Sequence, residues 1–168
     1  LQEAGLSLDF WIYHTQLNEL EQIAKALPDL NIILNHIGGP IQIGEYEGKQ
    51  ALTHREWRPA MMRLSRLPNI STKLGGLGMA LNGAKFHLNE TPPSSTELSD
   101  IWKPWIYETI NMFGVDRCMF ESNFPVDKGS CSYGSLWNAF KIISKEMTQD
   151  EKNKLFYENA AKTYKIKL

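Results

Sequence analysis

Across residues 6–13 apolar and polar positions alternate with a period of two: Leu8, Phe10 and Ile12 share one face and Asp9, Trp11 and Tyr13 the other, which predicts a strand. From Gln16 the spacing becomes helical, with Leu17, Leu20, Ile23, Ala24 and Leu27 on one stripe and Pro28 as the stop. The exchange repeats three times. Residues 31–37 read as a strand, after which Thr53-x-x-Glu56 reads as a capping box that opens a helix to about Leu67. Residues 70–74 form the next strand, and Ser94-x-x-Glu97 caps a helix to about Phe113. Residues 117–122 are the last strand, followed by a helix from about Tyr133 to Lys145 and another from the Thr148-x-x-Glu151 box to Tyr164. Residues 75–95 are the longest stretch without periodicity, a length that compact domains keep for a lid or a binding loop.

Strands alternating with helices call for parallel βα units, and the Ile- and Leu-rich residues 31–37 have the composition of a parallel strand covered on both faces. The 168 residues suit one globular unit, without linker or low-complexity tract. A formal charge of −1, with no run of like charges, leaves no electrostatic footprint for nucleic acid or an anionic membrane surface. No apolar stretch approaches the ~20 residues of a membrane helix. Cys118, inside a predicted strand, and Cys131, in the loop after it, have neither metal nor redox spacing, so a reducing, cytoplasmic compartment is the expectation. Leu1-Gln2-Glu3-Ala4-Gly5 carries no initiator Met and no signal-peptide pattern, which suits a truncated or excised sequence.

Two segments share one design: Asn31-Ile32-Ile33-Leu34-Asn35-His36-Ile37-Gly38-Gly39-Pro40 and Met119-Phe120-Glu121-Ser122-Asn123-Phe124-Pro125-Val126-Asp127 each run an apolar strand into polar residues and a Gly or Pro turn. Together with Lys73-Leu74-Gly75-Gly76-Leu77, Phe113-Gly114-Val115-Asp116-Arg117 and residues 155–164, they resemble, in order, the later strands of the amidohydrolase-related TIM-barrel hydrolases. That group holds lactonases of dicarboxylate and sugar-acid breakdown and related decarboxylases. The resemblance implies an α/β fold that is the C-terminal half of a (β/α)₈ TIM barrel, residues 1–168 being a single partial domain. A whole barrel takes about 250 residues, and the first strand, where the family has its His-x-His pair, is absent. The implied activity is hydrolysis of a small ester-like substrate, a carboxylated lactone first. The rivals are decarboxylation of an unsaturated or aromatic acid on the same scaffold, and a non-catalytic half-barrel that binds a partner. Open strand edges call for the missing N-terminal half of the barrel or for a homo-oligomer.

Barrels place their chemistry at the C-terminal ends of their strands, so His36 is the first candidate as ligand, base or electrophile. The alternative is a core histidine bonded to a backbone carbonyl. Asn123 stands where many family members carry Asp, in Ser122-Asn123-Phe124-Pro125. An amide cannot act as a base and is a weaker ligand for a divalent cation than a carboxylate, so its expected task is to position water or substrate. The resemblance implies a divalent metal such as zinc, with His36 as a ligand, or a metal-independent reaction, since one imidazole does not make a tight site. Asp127 is either a catalytic or substrate-binding substitute for the missing carboxylate, or the anchor of a local turn or partner of Lys128. Alternation puts Glu121 on the face of Asn123, where Lys73 of the neighbouring strand can meet it. That pair either fills the interior or lets Lys73 orient a substrate carboxylate or hold Glu121 at a useful pKa. Tyr13 is expected to donate to a substrate oxygen, with His14 on the phase of the covered face. Gly75 and Gly76 suggest a backbone cradle for an anion or a tight turn. His54 and His87 are expected at the surface, and Cys131 as an inert thiol.

Overall fold

Each stretch of two-residue period becomes a strand with a helix packed against it; of the stripe expected on the first helix Leu17, Leu20 and Ala24 are buried, while Ile23 and Leu27 are exposed. The structure is a computed structural model and describes residues 1–167. Strand β1 (Ser7–Phe10) leads to helix α1 (Leu17–Ala26), β2 (Asn31–Leu34) to α2 (Gln50–Leu64), β3 (Ile70–Leu74) to α3 (Ser95–Phe113), and β4 (Cys118–Phe120) to α4 (Tyr133–Ile143). A π turn (Lys154–Glu158) then joins α5 (Gln149–Asn153) to α6 (Asn159–Tyr164). The strands form one parallel sheet in the order β1-β2-β3-β4, the run of βα units that the periodicity predicts.

Register decides what each face carries. Leu8, Ile32 and Ile70 lie side by side, as do Phe10, Leu34, Thr72 and Cys118, and then Leu74 and Phe120; these residues face the helices. There Ile32, Leu34, Ile70 and Leu74 are fully buried with Leu17, Trp57, Met61 and Ile106, and the Phe120 ring stacks on Phe140 with centroids 4.5 Å apart. Complete burial is worth roughly 1.5–3 kcal/mol for each such side chain, so this layer carries most of the packing energy. The opposite face aligns Asp9, Ile33 and Ser71, then Lys73 with Met119. It mixes charge with apolar surface, as the interior of a catalytic barrel does.

The C-terminal tail crosses the N-terminal ends of the strands. Asn159 Nδ2 donates to the carbonyls of Val115 (2.7 Å) and Cys118 (2.8 Å), Lys165 Nζ donates to the Gly5 carbonyl (3.1 Å), and the Tyr164 hydroxyl donates to Asp9 (2.8 Å). Asn159 therefore anchors α6, and Tyr164 reaches the inner face.

Strand β3 has the expected bounds, whereas β2 and β4 end earlier than their sequence patterns because the backbone turns at His36 and Ile37 after β2 and at Asn123 after β4. Arg117 lies outside β4, donating to the carbonyls of Ser65 (2.6 Å) and Leu67 (2.9 Å). The caps expected at Ser94 and Thr148 form, each accepting from the backbone N–H three residues on. The one expected at Thr53 does not. Helix α2 starts at Gln50, and Thr53 is buried in its first turn, its hydroxyl donating to the Ile41 carbonyl at 2.7 Å. Glu56 is taken up by Tyr46, whose hydroxyl donates to it at 2.9 Å. Among the described residues no helix is long and apolar enough to cross a membrane.

Candidate functional site

Two of the sequence candidates, His36 and Asn123, are delivered by left-handed backbone at the C-terminal end of the sheet. His36 (φ 55°, ψ 42°) and Ile37 (φ 47°, ψ 34°) follow β2, and Asn123 (φ 52°) follows β4. Asn tolerates this region, whereas a β-branched residue there is strained by roughly 1–2 kcal/mol. The strain at Ile37 is held in place by complete burial and by Trp57, whose indole N–H donates to the Ile37 carbonyl at 2.7 Å. Such over-determined strain marks functional turns.

This turn puts the His36 ring against Glu121. Nδ1 lies 2.5 Å from Glu121 Oε1, and the same oxygen accepts the His36 backbone N–H at 3.1 Å. An ionised carboxylate can only accept, so the ring proton belongs on Nδ1 and the lone pair of Nε2 is left for chemistry. Trp11 stands edge-on to the imidazole at 4.7 Å, and Tyr13 edge-on to Trp11 at 5.5 Å, both aromatic rings being partly exposed. The two glycines after β3 are what allow this close packing. A Cβ on Gly75 would sit 2.3 Å from the Glu121 carbonyl oxygen, and one on Gly76 (φ 70°) would sit 2.5 Å from the His36 ring. Their role in this geometry is to admit the pair.

Asn123 and Asp127 form a second unit. Asn123 Nδ2 donates to Asp127 Oδ1 at 2.8 Å, while Oδ2 has no hydrogen-bond partner among the described residues. Asp127 is almost wholly buried, and burial pushes its carboxyl up to about 6 against the opposing pull of the Asn123 donor. Its charge also interacts with those of His36 and Glu121. The expected pair with Lys128 does not form: Lys128 is exposed and Asp127 points inward. A carboxyl raised from 3.8 to about 6 binds a proton more readily folded than unfolded, so it costs nothing below pH 4 and weakens the fold as pH rises through 6. Asp127→Asn keeps an acceptor for Asn123 and removes the buried charge. It is expected to stabilise the protein at pH 8 by up to about 3 kcal/mol and to leave stability at pH 4 unchanged, as measured by denaturant unfolding at the two pH values.

Lys73 is engaged. Its ammonium lies 2.5 Å from Asp9 Oδ1, 3.9 Å from Glu121 Oε2 and 5.3 Å from the centre of the Tyr164 ring. Burial alone lowers an ammonium's pKa, but the bonds to Asp9 and Tyr164 and the Glu121 charge outweigh it and leave Lys73 raised. Lys73 and Glu121 do share the inner face as alternation requires, yet each has a nearer partner. Tyr13 points to the partly exposed aromatic side of the site, and its backbone N–H is bonded to Gln16. His14 is buried on the helix side, accepting from the Ile41 N–H with Nδ1 and lying 3.5 Å from Glu56 with Nε2. His87 is exposed, and His54 is half-exposed and bonded to Glu108. Cys131 is buried, with its thiol pushed up to about 11 by desolvation.

Sequence reasoning missed the His36–Glu121 bond, because alternation along β4 says which face Glu121 shares but not that the β2 turn folds back to meet it. It also missed Asp9 as the partner of Lys73. That signal was present, since both residues lie on the inner phase of their strands.

A tight divalent site takes three or four protein ligands. Among the described residues no group of three or more His, Cys, Asp and Glu is arranged to hold a metal ion. By themselves the described residues do not complete one.

The family model described as amidohydrolase matches residues 1–166. An uncharacterized protein, y4mH, from Sinorhizobium fredii is 40% identical over 170 residues, covering 99% of this chain and 49% of that protein. The L-rhamnono-gamma-lactonase of Scheffersomyces stipitis is 25% identical over 164 residues, covering 90% of this chain and 45% of the lactonase. Among solved structures, a Burkholderia multivorans amidohydrolase with bound zinc superposes with a TM-score of 0.83 at 23% identity, covering 99% of this chain and 55% of that one. The chain thus spans about half the length of these relatives, and its four βα units match half of an amidohydrolase barrel.

Proposed function

The chain belongs to the amidohydrolase family, and from that premise we propose that it supplies the catalytic half of a barrel that hydrolyses a small lactone. The observation that carries the reading is the His36–Glu121 bond at the C-terminal end of the sheet, which leaves Nε2 as the free acceptor. In this reading Nε2 takes a proton from water as its oxygen bonds to the lactone carbonyl carbon. Glu121 stabilises the imidazolium that forms. The proton then passes to the ring oxygen as its bond to the carbonyl carbon breaks, and the hydroxy acid leaves. Asp127, with a pKa near neutrality, is a second proton carrier in the same site.

The lactonase relative supports the choice of a cyclic ester. Lys73 was the expected anchor for a substrate carboxylate, and its engagement by Asp9 argues that such a carboxylate, where the lactone carries one, is held by the other half of the barrel. The chain alone, with its catalytic ring open, is expected to be inactive. The test is acid release from a panel of small lactones, neutral and carboxylated, followed by pH-stat on the complete barrel. Turnover of a lactone supports the reading. Release of CO₂ from an unsaturated acid, with no lactone turned over, would replace it by decarboxylation.

A further inference from the structure

We infer that Asp9, Lys73 and Tyr164 form a positioning network that holds Glu121, and through it His36, in the working orientation; the inference rests on the catalytic role proposed for His36. The links are continuous. The Tyr164 hydroxyl donates to Asp9 Oδ1 at 2.8 Å, the same oxygen takes the Lys73 ammonium at 2.5 Å, Lys73 lies 3.9 Å from Glu121 Oε2, and Glu121 Oε1 binds His36 Nδ1 at 2.5 Å. Side-chain exposure falls along the path, from 33% at Asp9 through 18% at Lys73 and 16% at Glu121 to 11% at His36. The charges therefore act on one another with progressively less screening by water.

The arrangement explains why a lysine is needed at that point. Asp9 and Glu121 are two carboxylates on one sheet face, and Lys73 is the cation between them. In register with these groups stand Ile33, beside Asp9, and Met119, beside Lys73, both buried and apolar. Ser71, beside Ile33, is the polar neighbour on this face and carries no charge. Without Lys73, Oε2 of Glu121 faces Asp9 uncompensated, and the carboxylate has reason to turn away from His36. The ring then loses the acceptor that keeps its proton on Nδ1. Tyr164 fixes Asp9 from below, which ties the last helix to a ring at the opposite end of the sheet.

The experiment uses ¹⁵N spectra of the His36 ring in the complete barrel, which report the tautomer, together with kcat and KM on the lactone that is turned over. The wild type is expected to show Nδ1 protonated. In Lys73→Met the tautomer becomes mixed and kcat falls by about 10-fold or more while KM is unchanged, the usual scale for a group that orients a catalytic histidine. Lys73→Arg restores both, and Tyr164→Phe moves both in the same direction by less. A purely structural ion pair gives a different result: Lys73→Met lowers Tm but leaves the His36 tautomer and kcat as they were, which would overturn the network. Should Lys73→Met fail to fold, Tyr164→Phe removes a single hydroxyl, and an unchanged tautomer in that variant overturns the network equally. A barrel that turns over no lactone refutes the proposed activity alone, since the tautomer measurement needs no substrate.

Discussion

His36→Ala in the complete barrel is expected to lower kcat/KM by about 100-fold or more, the scale of a positioned general base. Two consecutive left-handed residues after β2 bring the ring to Glu121, and a single carboxylate oxygen then takes both the ring N–H and the backbone N–H of His36. Glu121→Gln separates the contributions. It keeps the size of the side chain but offers an amide whose NH₂ can donate to Nδ1, which would move the proton to Nε2 and remove the base without removing the imidazole. Its loss in kcat is expected to approach that of His36→Ala, with KM little changed. Steady-state kinetics on the two variants decide the matter, and a rate preserved in His36→Ala would mean that the catalytic base lies elsewhere.

Gly75→Ala is expected to destabilise the protein by about 3 kcal/mol, the upper range for overpacking a filled site. The added methyl would lie 2.3 Å from the carbonyl oxygen of Glu121 and 2.4 Å from its Cγ. The first of those atoms is backbone at the end of β4 and cannot step aside without moving the strand. Gly76→Ala makes a useful comparison: its methyl would lie 2.5 Å from the His36 ring and 2.8 Å from its Cβ, at a left-handed position (φ 70°), so it displaces the His36 side chain as well as straining the turn. It is expected to lose both activity and stability. Urea unfolding of both variants, with kinetics on the second, tests the pair. A Gly75→Ala barrel as stable as the wild type would show that β3 and β4 part more readily than their packing implies.

Much of the architecture could be read from periodicity. The alternation at Leu8, Phe10 and Ile12 and the stripe at Leu17, Leu20 and Ala24 are local patterns, and the parallel sheet follows from their order once crossovers are right-handed. Asn159 and the glycines after β3 were visible as parts of a family-like pattern, though the reason for them was not. The failures share one cause. Thr53 looked like a cap because its spacing to Glu56 is right, yet Lys49 and Gln50 begin the helix a turn earlier and the loop after β2 needs the Thr53 hydroxyl for the Ile41 carbonyl. Lys73 was paired from the sequence with Glu121 of the neighbouring strand, and its nearest partner, Asp9, went unnamed because it lies two strands away.

The sequence by itself therefore determined the βα order, the two faces of each strand, and the placing of His36, Asn123 and Glu121 at one end of the sheet, because strand alternation and helix capping act over a few residues. Only the tertiary structure decided which side chains meet. The His36–Glu121 bond, the Asn123–Asp127 pair and the path from Tyr164 through Asp9 to Lys73 depend on left-handed turns and on inter-strand register. A shift of one residue in that register would carry the inner-face side chains of a strand to the opposite face, so no local pattern could have named the partners.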